Sequence, residues 1–462
     1  MKTRFASIAA AMTLAACGAE APAPTTPHGE LTAFVQLFEW GWREIARECE
    51  EHLGPAGYTA VQVSPPNEHI EGPAWWTRYQ PVSYRIESRG GTREEFAEMI
   101  ERCREAGVGI YADTVINHMA GFPEGRGIAG SAYSEYDYPA VPYSGDDFHR
   151  CGHNEHDRIE DYQDLFEIQN CQLGTLDDLD TGKTEVQERI AAYLNDLLGL
   201  GVGGFRIDAA KHMNHEDLHQ ILQRVDDAPF VYQEVIDRGG EAIDAMNYVR
   251  DGHVTEFKYA GIILDAFELG NLYVLEDFWS LPGWLPSDNA VVFVDNHDIQ
   301  RGHAFGDEVV NYKDGARYEL AVAFMLAHPY GYPLIMSSYA FENDQQGPPT
   351  VSPFDIRGCG EAWICEHRRP SRAAMLAFRR VTAGTGLTNW VIDGTVVSFG
   401  RGDLGHILLN TGPDLVEVSV PTNLPVGDYA GIISGIDVTV TADGMINLAL
   451  EPFGYVALLA GD

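Results

Sequence analysis

Two carboxylates and an arginine stand at the ends of apolar runs, where buried strands would end. Arg206 and Asp208 close the run "GFRID", and Glu234 follows "FVYQ". Residues two apart on a strand point to the same side, so we expect Arg206 beside Asp208, where it favours the ionised carboxylate. Glu234, desolvated at an apolar strand end, is expected to have a raised pKa and to hold its proton near neutral pH.

A charged carboxylate paired with a protonated one is the arrangement that hydrolysis of a glycosidic bond needs. One group attacks the anomeric carbon while the other protonates the leaving oxygen. Asp298, at the end of "FVDNHD", adds a third carboxylate that would stabilise an oxocarbenium-like transition state. A single aspartate at a strand end is more often a cap, but three such ends together favour an active site.

The elements that must hold these residues alternate between strand-like and helix-like patterns. Apolar runs such as "YTAVQVS" and "VGIYADTVINH" are separated by amphipathic stretches such as "TREEFAEMIERCREAG". This order predicts a (β/α)₈ barrel formed by residues 31–118 and 183–385, with the polar strand ends on one face. Residues 119–182 lack a period and predict an irregular inserted domain after the third strand. Residues 386–462 predict a C-terminal antiparallel β-sandwich domain.

The charge excludes several classes of partner. The chain has 31 Lys and Arg against 69 Asp and Glu, a net charge of −38. Such an acidic protein is not expected to bind nucleic acid or an anionic membrane surface. We expect a neutral or cationic substrate.

The N-terminus predicts export. Residues 1–17 have a basic start and an apolar run too short to span a bilayer, as in a signal peptide. The ending "LAAC" resembles the lipobox of bacterial lipoproteins, in which Cys17 would be lipidated, and residues 18–30 suit a flexible tether. We expect anchoring to a bacterial membrane, facing the periplasm or the cell surface, with ordinary cleavage and secretion as the alternative. Membrane contact would occur only through this anchor, and we expect a monomer.

Six further cysteines remain after Cys17, an even number that favours three disulfides in an oxidising compartment. Their spacing does not decide the pairing, although the short separations of Cys151 from Cys171 and of Cys359 from Cys365 suit local bridges. The two histidines of "CGHNEH", His153 and His156, are interpreted as part of a solvated loop rather than a metal site.

The segments "DTVINH", "GFRIDAAKH", "YQEVI" and "FVDNHD", in this order, resemble the signature regions of the α-amylase family of glycoside hydrolases. The segments "FEWGW", "WWTRYQPVSY" and "MLAHPYGYPLIMSSY" are similar to those of its animal-type members. The resemblance covers residues 31–385, and the C-terminal domain is similar in kind. It implies a retaining, endo-acting α-1,4-glucan hydrolase, with starch, glycogen and maltooligosaccharides as substrates.

The resemblance also implies a role for each site residue. Asp208 would be the nucleophile, Glu234 the acid and base, and Asp298 the transition-state stabiliser. Trp75, Trp76 and Tyr79 would form a stacking platform, and His303 would belong to a substrate-contacting loop. The substrate-binding residues implied in this way are Trp75, Trp76, Tyr79, Gln80, His118, Arg206, Lys211, His212, His297 and His303.

A structural Ca²⁺ between the barrel and the inserted domain is implied as well. Its ligands would be Asn117, Asp178 and the backbone carbonyls of Gln169 and His212, oxygen donors that suit this ion. The implied disulfides are Cys49–Cys103, Cys151–Cys171 and Cys359–Cys365.

The sequence departs from the family at the chloride site of the animal-type members. Arg206 and Asn296 match two of the chloride-binding positions, but Leu334 stands where a basic residue is expected. One cation fewer should weaken anion binding, so we expect weak or absent chloride dependence.

Two alternatives remain open. A transglycosylase of the same family would resolve the intermediate with a sugar hydroxyl instead of water. A surface α-glucan-binding protein would have lost catalysis, but the presence of Asp208, Glu234 and Asp298 together argues against a pure binder.

Overall fold

The computed structural model describes residues 32–306 and 308–461. The proposed signal peptide, Cys17 and the tether lie outside these residues. Among the described helices, none is long and apolar enough to cross a membrane.

Eight parallel strands of the described chain close into a barrel. Most of their residues are buried on both faces, which explains why the strands read as continuous apolar runs without alternation. Around the barrel the order is β1, β2, β3, β6, β7, β8, β9, β10, with β10 pairing to β1. The barrel strands are β1 (Phe34–Leu37), β2 (Ala60–Val63), β3 (Gly109–Thr114), β6 (Gly204–Ile207), β7 (Phe230–Gln233), β8 (His253–Thr255), β9 (Ala290–Phe293) and β10 (Tyr332–Ser337).

Helices follow the strands and cover the outside of the barrel. Helix α3, for example, starts at a capping box in which Thr92 and Glu95 satisfy each other's backbone N–H groups, and it buries Phe96, Met99 and Ile100. The α-helices are α1 (Trp42–Glu48), α2 (Gly54–Ala56), α3 (Arg93–Glu105), α4 (Leu165–Asn170), α5 (Thr184–Gly199), α6 (His215–Leu222), α7 (Phe257–Phe267), α8 (Ala316–Ala327) and α9 (Pro370–Val381).

The long segment between β3 and α5 has little regular structure, as expected. It contains a two-stranded sheet of β4 (Glu124–Arg126) and β5 (Ala132–Ser134), together with the short helix α4. The disulfide Cys151–Cys171 links the residue that directly follows α4 to a loop 20 residues earlier in the same segment.

Two four-stranded antiparallel sheets form the C-terminal part, in the orders β11-β12-β13-β18 and β14-β17-β16-β15. Side chains from both sheets share one apolar core, including Leu408, Val438 and Ile446, so the predicted sandwich is confirmed. The strands are β11 (Leu387–Asp393), β12 (Val396–Arg401), β13 (Gly405–Asn410), β14 (Val416–Pro421), β15 (Gly427–Ala430), β16 (Asp437–Val440), β17 (Met445–Leu450) and β18 (Tyr455–Leu459).

The described chain also contains the disulfides Cys49–Cys103 and Cys359–Cys365. Together with Cys151–Cys171 they give the pairing that the family resemblance implied. Cys49–Cys103 joins the end of α1 to the last turn of α3, and Cys359–Cys365 closes a short loop. Such cross-links restrict the unfolded chain more than the folded one.

Candidate active site

Arg206 lies at the centre of a buried cluster of carboxylates inside the carboxyl end of the barrel. Its Nη1 donates hydrogen bonds to Asp113 Oδ1 at 2.5 Å and to Asp208 Oδ1 at 2.7 Å. Its Nη2 donates to Glu234 Oε1 and lies 3.9 Å from Asp298 Oδ2. Register explains the arrangement, because Asp113 on β3 pairs with Arg206 on β6, and Arg206 pairs with Tyr232 on β7, two residues before Glu234.

Glu234 and Asp298 interact closely enough that their contact lowers the pKa of Glu234 and raises that of Asp298. The other oxygen of Glu234 accepts the backbone N–H of Ala209 at 2.9 Å. Ala209 has φ of 49°, a left-handed conformation that a residue with a side chain rarely adopts. This backbone turn directly after Asp208 aims an N–H group at Glu234, so the two catalytic candidates are positioned by one short segment.

The pKa directions correct one expectation from the sequence. Burial raises the pKa of Asp208 to about 8, despite the adjacent Arg206. Burial alone would also raise the pKa of Glu234, but Arg206 and the Ala209 N–H outweigh it and lower this pKa. Burial and the negative Glu234 raise the pKa of Asp298 well above its ordinary range.

The pKa directions of Asp208 and Glu234 are therefore opposite to those expected from the sequence. The physical reason is that Arg206 is shared, because its second nitrogen donates a hydrogen bond to Glu234 at the end of the neighbouring strand β7. Carboxylates coupled this closely titrate as a unit.

Histidine and aromatic side chains form one wall next to the carboxylates. His297 Nε2 lies 3.4 Å from Asp298 Oδ2, and its ring stacks on Phe38 and Tyr79. Burial lowers the pKa of His297 well below its ordinary value, and that of His118 to about 4, so both rings are neutral hydrogen-bonding groups. Neutral imidazoles suit contacts with sugar hydroxyls, which both donate and accept.

The tryptophans of "WWTRY" lie on a 3₁₀ helix, Trp75–Tyr79, at the edge of this wall. Trp75 is buried and donates from Nε1 to the Asp344 carbonyl at 2.6 Å, whereas Trp76 is half-buried and donates to Gln345 Oε1 at 2.6 Å. Hydrogen bonds to the loop that contains Asp344 and Gln345 thereby fix the orientation of the two rings.

The implied substrate-binding residues converge on one open cleft with a volume of about 710 Å³. Arg206 is the exception, because it lies beneath the carboxylates and is not part of the cleft lining. Lys211 is held by Glu241 at 2.7 Å and lies over the ring of Tyr162. The cleft is lined by Trp75, Trp76, Tyr79, Gln80, His118, Lys211, His212, His297 and His303, together with Asp208, Glu234 and Asp298.

Sequence reasoning missed several residues of the site. Asp113 opened the quoted segment "DTVINH", and its position at a strand end could have found it. Four further residues line the cleft from loops, where no periodic pattern in the sequence indicates which way a side chain points. They are Phe122, Tyr162, Glu241 and Gln345.

The implied calcium ligands fall into two pairs. Asn117 and Asp178 are buried, the carbonyl of Asn117 accepts the N–H of Leu179 at 3.0 Å, and Asp178 Oδ2 accepts from His149 Nδ1 at 2.7 Å. Gln169 lies in the last turn of α4, where the carbonyl of the preceding Ile168 accepts from His212 Nδ1 at 2.9 Å. Buried carboxylate, amide and carbonyl oxygens from two segments fit Ca²⁺ in chemistry.

Both histidines of the loop "CGHNEH" are exposed, as expected for a solvated loop. His156 pairs with Glu155. His153 lies with Asp164 and Glu167 in a cluster whose ligand atoms are all within 4.8 Å of one another, a spacing that would allow a metal ion.

The implied chloride residues are already engaged in other contacts. Asn296 Oδ1 accepts the backbone N–H groups of Asp298 and Ile299 at 3.1 and 2.9 Å. Leu334 is buried in an apolar layer with Phe34 and Phe293.

A closed (β/α)₈ barrel whose open end holds carboxylates, neutral histidines and stacked aromatic rings defines the class of barrel glycoside hydrolases. Comparison with known proteins narrows this class. The catalytic-domain model of the alpha-amylase family matches residues 75–250.

The chain is 43% identical over 460 residues to an alpha-amylase of Streptomyces violaceus, covering 98% of this chain and 79% of that one. It is 41% identical over 488 residues to pancreatic alpha-amylase of Homo sapiens, covering 93% and 95%. The solved structure of alpha-amylase I from Eisenia fetida superposes with a TM-score of 0.88 at 35% identity, covering 95% and 99%. The chain therefore belongs to the α-amylase family, and its relatives include animal enzymes.

Proposed function

We propose that this chain is an α-amylase, an endo-acting hydrolase of α-1,4-glucans such as starch, glycogen and maltooligosaccharides. The observation that carries the proposal is the convergence of Asp208, Glu234 and Asp298 around Arg206 in an open cleft. A point mutant of the Eisenia fetida enzyme has been solved in complex with maltohexaose, which supports an α-glucan as the ligand here.

The proposed reaction has two steps. Asp208 attacks the anomeric carbon while Glu234 gives a proton to the glycosidic oxygen, which leaves a glucosyl ester on Asp208 and releases the reducing-end part. Glu234 then takes a proton from a water molecule that attacks the same carbon, and the ester bond to Asp208 breaks. Asp298 and His297 hold sugar hydroxyls as positive charge develops on the ring.

The proton balance of the resting cluster is compatible with this sequence of steps. The first step requires Asp208 to be ionised and Glu234 to be protonated, so a proton that Asp208 holds in the free site passes to Glu234 within the coupled cluster before the attack, and Asp298 keeps its own. A sugar bound above the cluster excludes water and changes the hydrogen bonds of all three carboxylates, so their shared protons redistribute. The cluster as a whole, rather than Glu234 alone, stores the proton that the leaving oxygen takes.

We further propose Ca²⁺ as a structural ion held by Asn117, Asp178 and the carbonyls of Gln169 and His212. When bound, it would supply positive charge that ties the inserted segment to the barrel. We also propose that chloride is dispensable, since Arg206 is saturated by Asp113, Asp208 and Glu234 and Leu334 offers no charge. For the N-terminus we retain export, lipid anchoring through Cys17 and a monomeric enzyme as proposals.

The test is hydrolysis of soluble starch, with the anomeric configuration of the first products followed by NMR. An endo-acting retaining enzyme gives α-anomers and a rapid fall in polymer size. A transglycosylase incubated with maltotriose would give longer chains without new reducing ends. A pure binding protein would give calorimetric heat with maltoheptaose and no products.

A further inference from the structure

Phe122 is an exposed aromatic side chain in the cleft that the family resemblance did not assign. It lines the same cavity as the carboxylates and is 46% exposed. Its ring is nearly parallel to that of Trp76, with centroids 6.3 Å apart and an angle of 24°. Rings at this separation are offset, so part of each face stays open to the cleft.

Two aromatic contacts on consecutive residues connect the carboxylates with Phe122. The ring of His297, next to Asp298, lies with its centroid 5.7 Å from that of Trp75, and the next residue, Trp76, packs against Phe122. Trp75 is 5% exposed, Trp76 is half-buried, and Phe122 is the most exposed of the three. The exposure of the aromatic rings therefore increases from the carboxylates toward Phe122.

The loop that carries Phe122 is fixed on both sides of the ring. The N–H of Gly121 donates to Gln80 Oε1 at 3.0 Å, and the carbonyl of Pro123 accepts the N–H of Glu135 at 2.8 Å. A Cβ on Gly121 would come within 2.7 Å of Thr175, so the loop is also closely packed. An apolar ring held in the solvent by a rigid loop indicates contact with a ligand rather than a role in folding.

We propose that Phe122 extends the stacking platform beyond Trp76, adds a further sugar-stacking subsite for distant glucosyl units of long α-glucans, and sets the chain-length preference. This inference rests on the proposed function. The C–H groups on the face of a glucosyl ring pack against an aromatic face, and the gain in affinity is available only to substrates long enough to reach it.

The test compares Phe122→Ala and Phe122→Trp with Phe166→Ala. Phe166 is a matched control because it is also 46% exposed but lies outside the substrate cleft. We expect Phe122→Ala to lower kcat/KM on maltoheptaose about tenfold, mainly through KM, with no loss on maltotriose. Phe122→Trp should retain the preference for maltoheptaose, and Phe166→Ala should not change it.

Calorimetry separates this subsite from the proposed function. In the background of Glu234→Gln, maltoheptaose should bind about tenfold more weakly when Phe122 is also replaced by Ala, whereas maltotriose binding should not change. Equal losses for both sugars, or no loss for either, would overturn the subsite. Absence of product from every substrate with the wild-type enzyme would overturn the proposed function, and the binding data would still decide the role of Phe122.

Discussion

Arg206 donates a hydrogen bond from Nη2 to Oε1 of Glu234, the residue to which we assign proton transfer. The same guanidinium binds Asp113 and Asp208 through Nη1. A buried cation favours the ionised forms of all these carboxylates, so its removal should raise their pKa values together.

We therefore predict that Arg206→Gln shifts both limbs of the pH profile of kcat/KM to higher pH. The variant should also lose about 100-fold or more in kcat, because the cluster loses its preorganised charge. In Arg206→Lys the pH profile of kcat/KM should lie closer to that of the wild type, because a positive charge is present. Its kcat should remain low, since an ammonium lacks the planar fork that contacts several carboxylates. The exposed Arg47, changed to Gln, is the matched control. An unshifted profile for Arg206→Gln would contradict the coupling.

The calcium proposal predicts a specific pattern of thermal stability. Added Ca²⁺ should stabilise the wild-type protein by about 2.7 kcal/mol at a concentration 100 times its Kd, and a chelator should reverse the effect. Asp178→Asn should lose this response because it removes the buried carboxylate. Asp164→Asn, in the outer cluster with His153 and Glu167, should keep it. A response lost in Asp164→Asn and kept in Asp178→Asn would place the ion in the outer cluster instead. Calorimetric titration with CaCl₂ provides the binding constant directly.

Chloride should have little effect on the rate. Replacing acetate by chloride at constant ionic strength is expected to change kcat/KM less than about twofold, because Arg206 has carboxylate partners and Leu334 adds no positive charge. A large increase in rate with chloride would mean that the anion displaces one of those carboxylates.

Stability in acid should depend on Glu48, a buried residue of α1. Burial would raise its pKa, but hydrogen bonds from His367 and Arg368 outweigh burial and lower it to about 2. Because the folded pKa is below the ordinary value, the stabilisation is fully present above about pH 4.5 and is lost as the pH falls toward 2.

Glu48→Gln should therefore cost about 3 kcal/mol in unfolding free energy near neutral pH, since it leaves two partners without their anion. The difference from wild type should shrink as the pH falls from about 4.5, as measured by urea denaturation. Glu51→Gln, which removes an exposed pair with Arg47, should change stability by less than about 0.5 kcal/mol. A constant difference across this pH range would show that the effect of Glu48→Gln does not arise from its charge.

The fold was predictable because its strands and its helices have different patterns in the sequence. Strands buried on two faces read as short apolar runs, and helices such as α3 carry an apolar stripe and a capping box. The site was predictable where a residue directly follows a strand, as Asp208 and Glu234 do, or lies in the short loop after it, as Asp298 does after β9. Phe122 was not, because its direction is set by hydrogen bonds to Gln80 and Glu135, which are distant in sequence.

The charge states were less accessible to sequence reasoning than the positions. Spacing correctly placed Arg206 beside Asp208, but the pattern of one strand contains no information on contacts with the neighbouring strand. The contact with Glu234 reverses the pKa order that the local sequence predicts. The pKa of a carboxylate inside the barrel depends on charged groups from several strands, which the sequence of one strand does not show.

The most direct test of the central claim is the release of reducing ends from soluble starch by the wild-type protein and by Asp208→Asn, in calcium buffer. We expect rapid release by the wild type and a loss of at least about 1,000-fold in kcat for Asp208→Asn, with maltoheptaose still bound. Comparable release by both proteins would contradict the assignment of Asp208 as the nucleophile and, with it, the proposed mechanism.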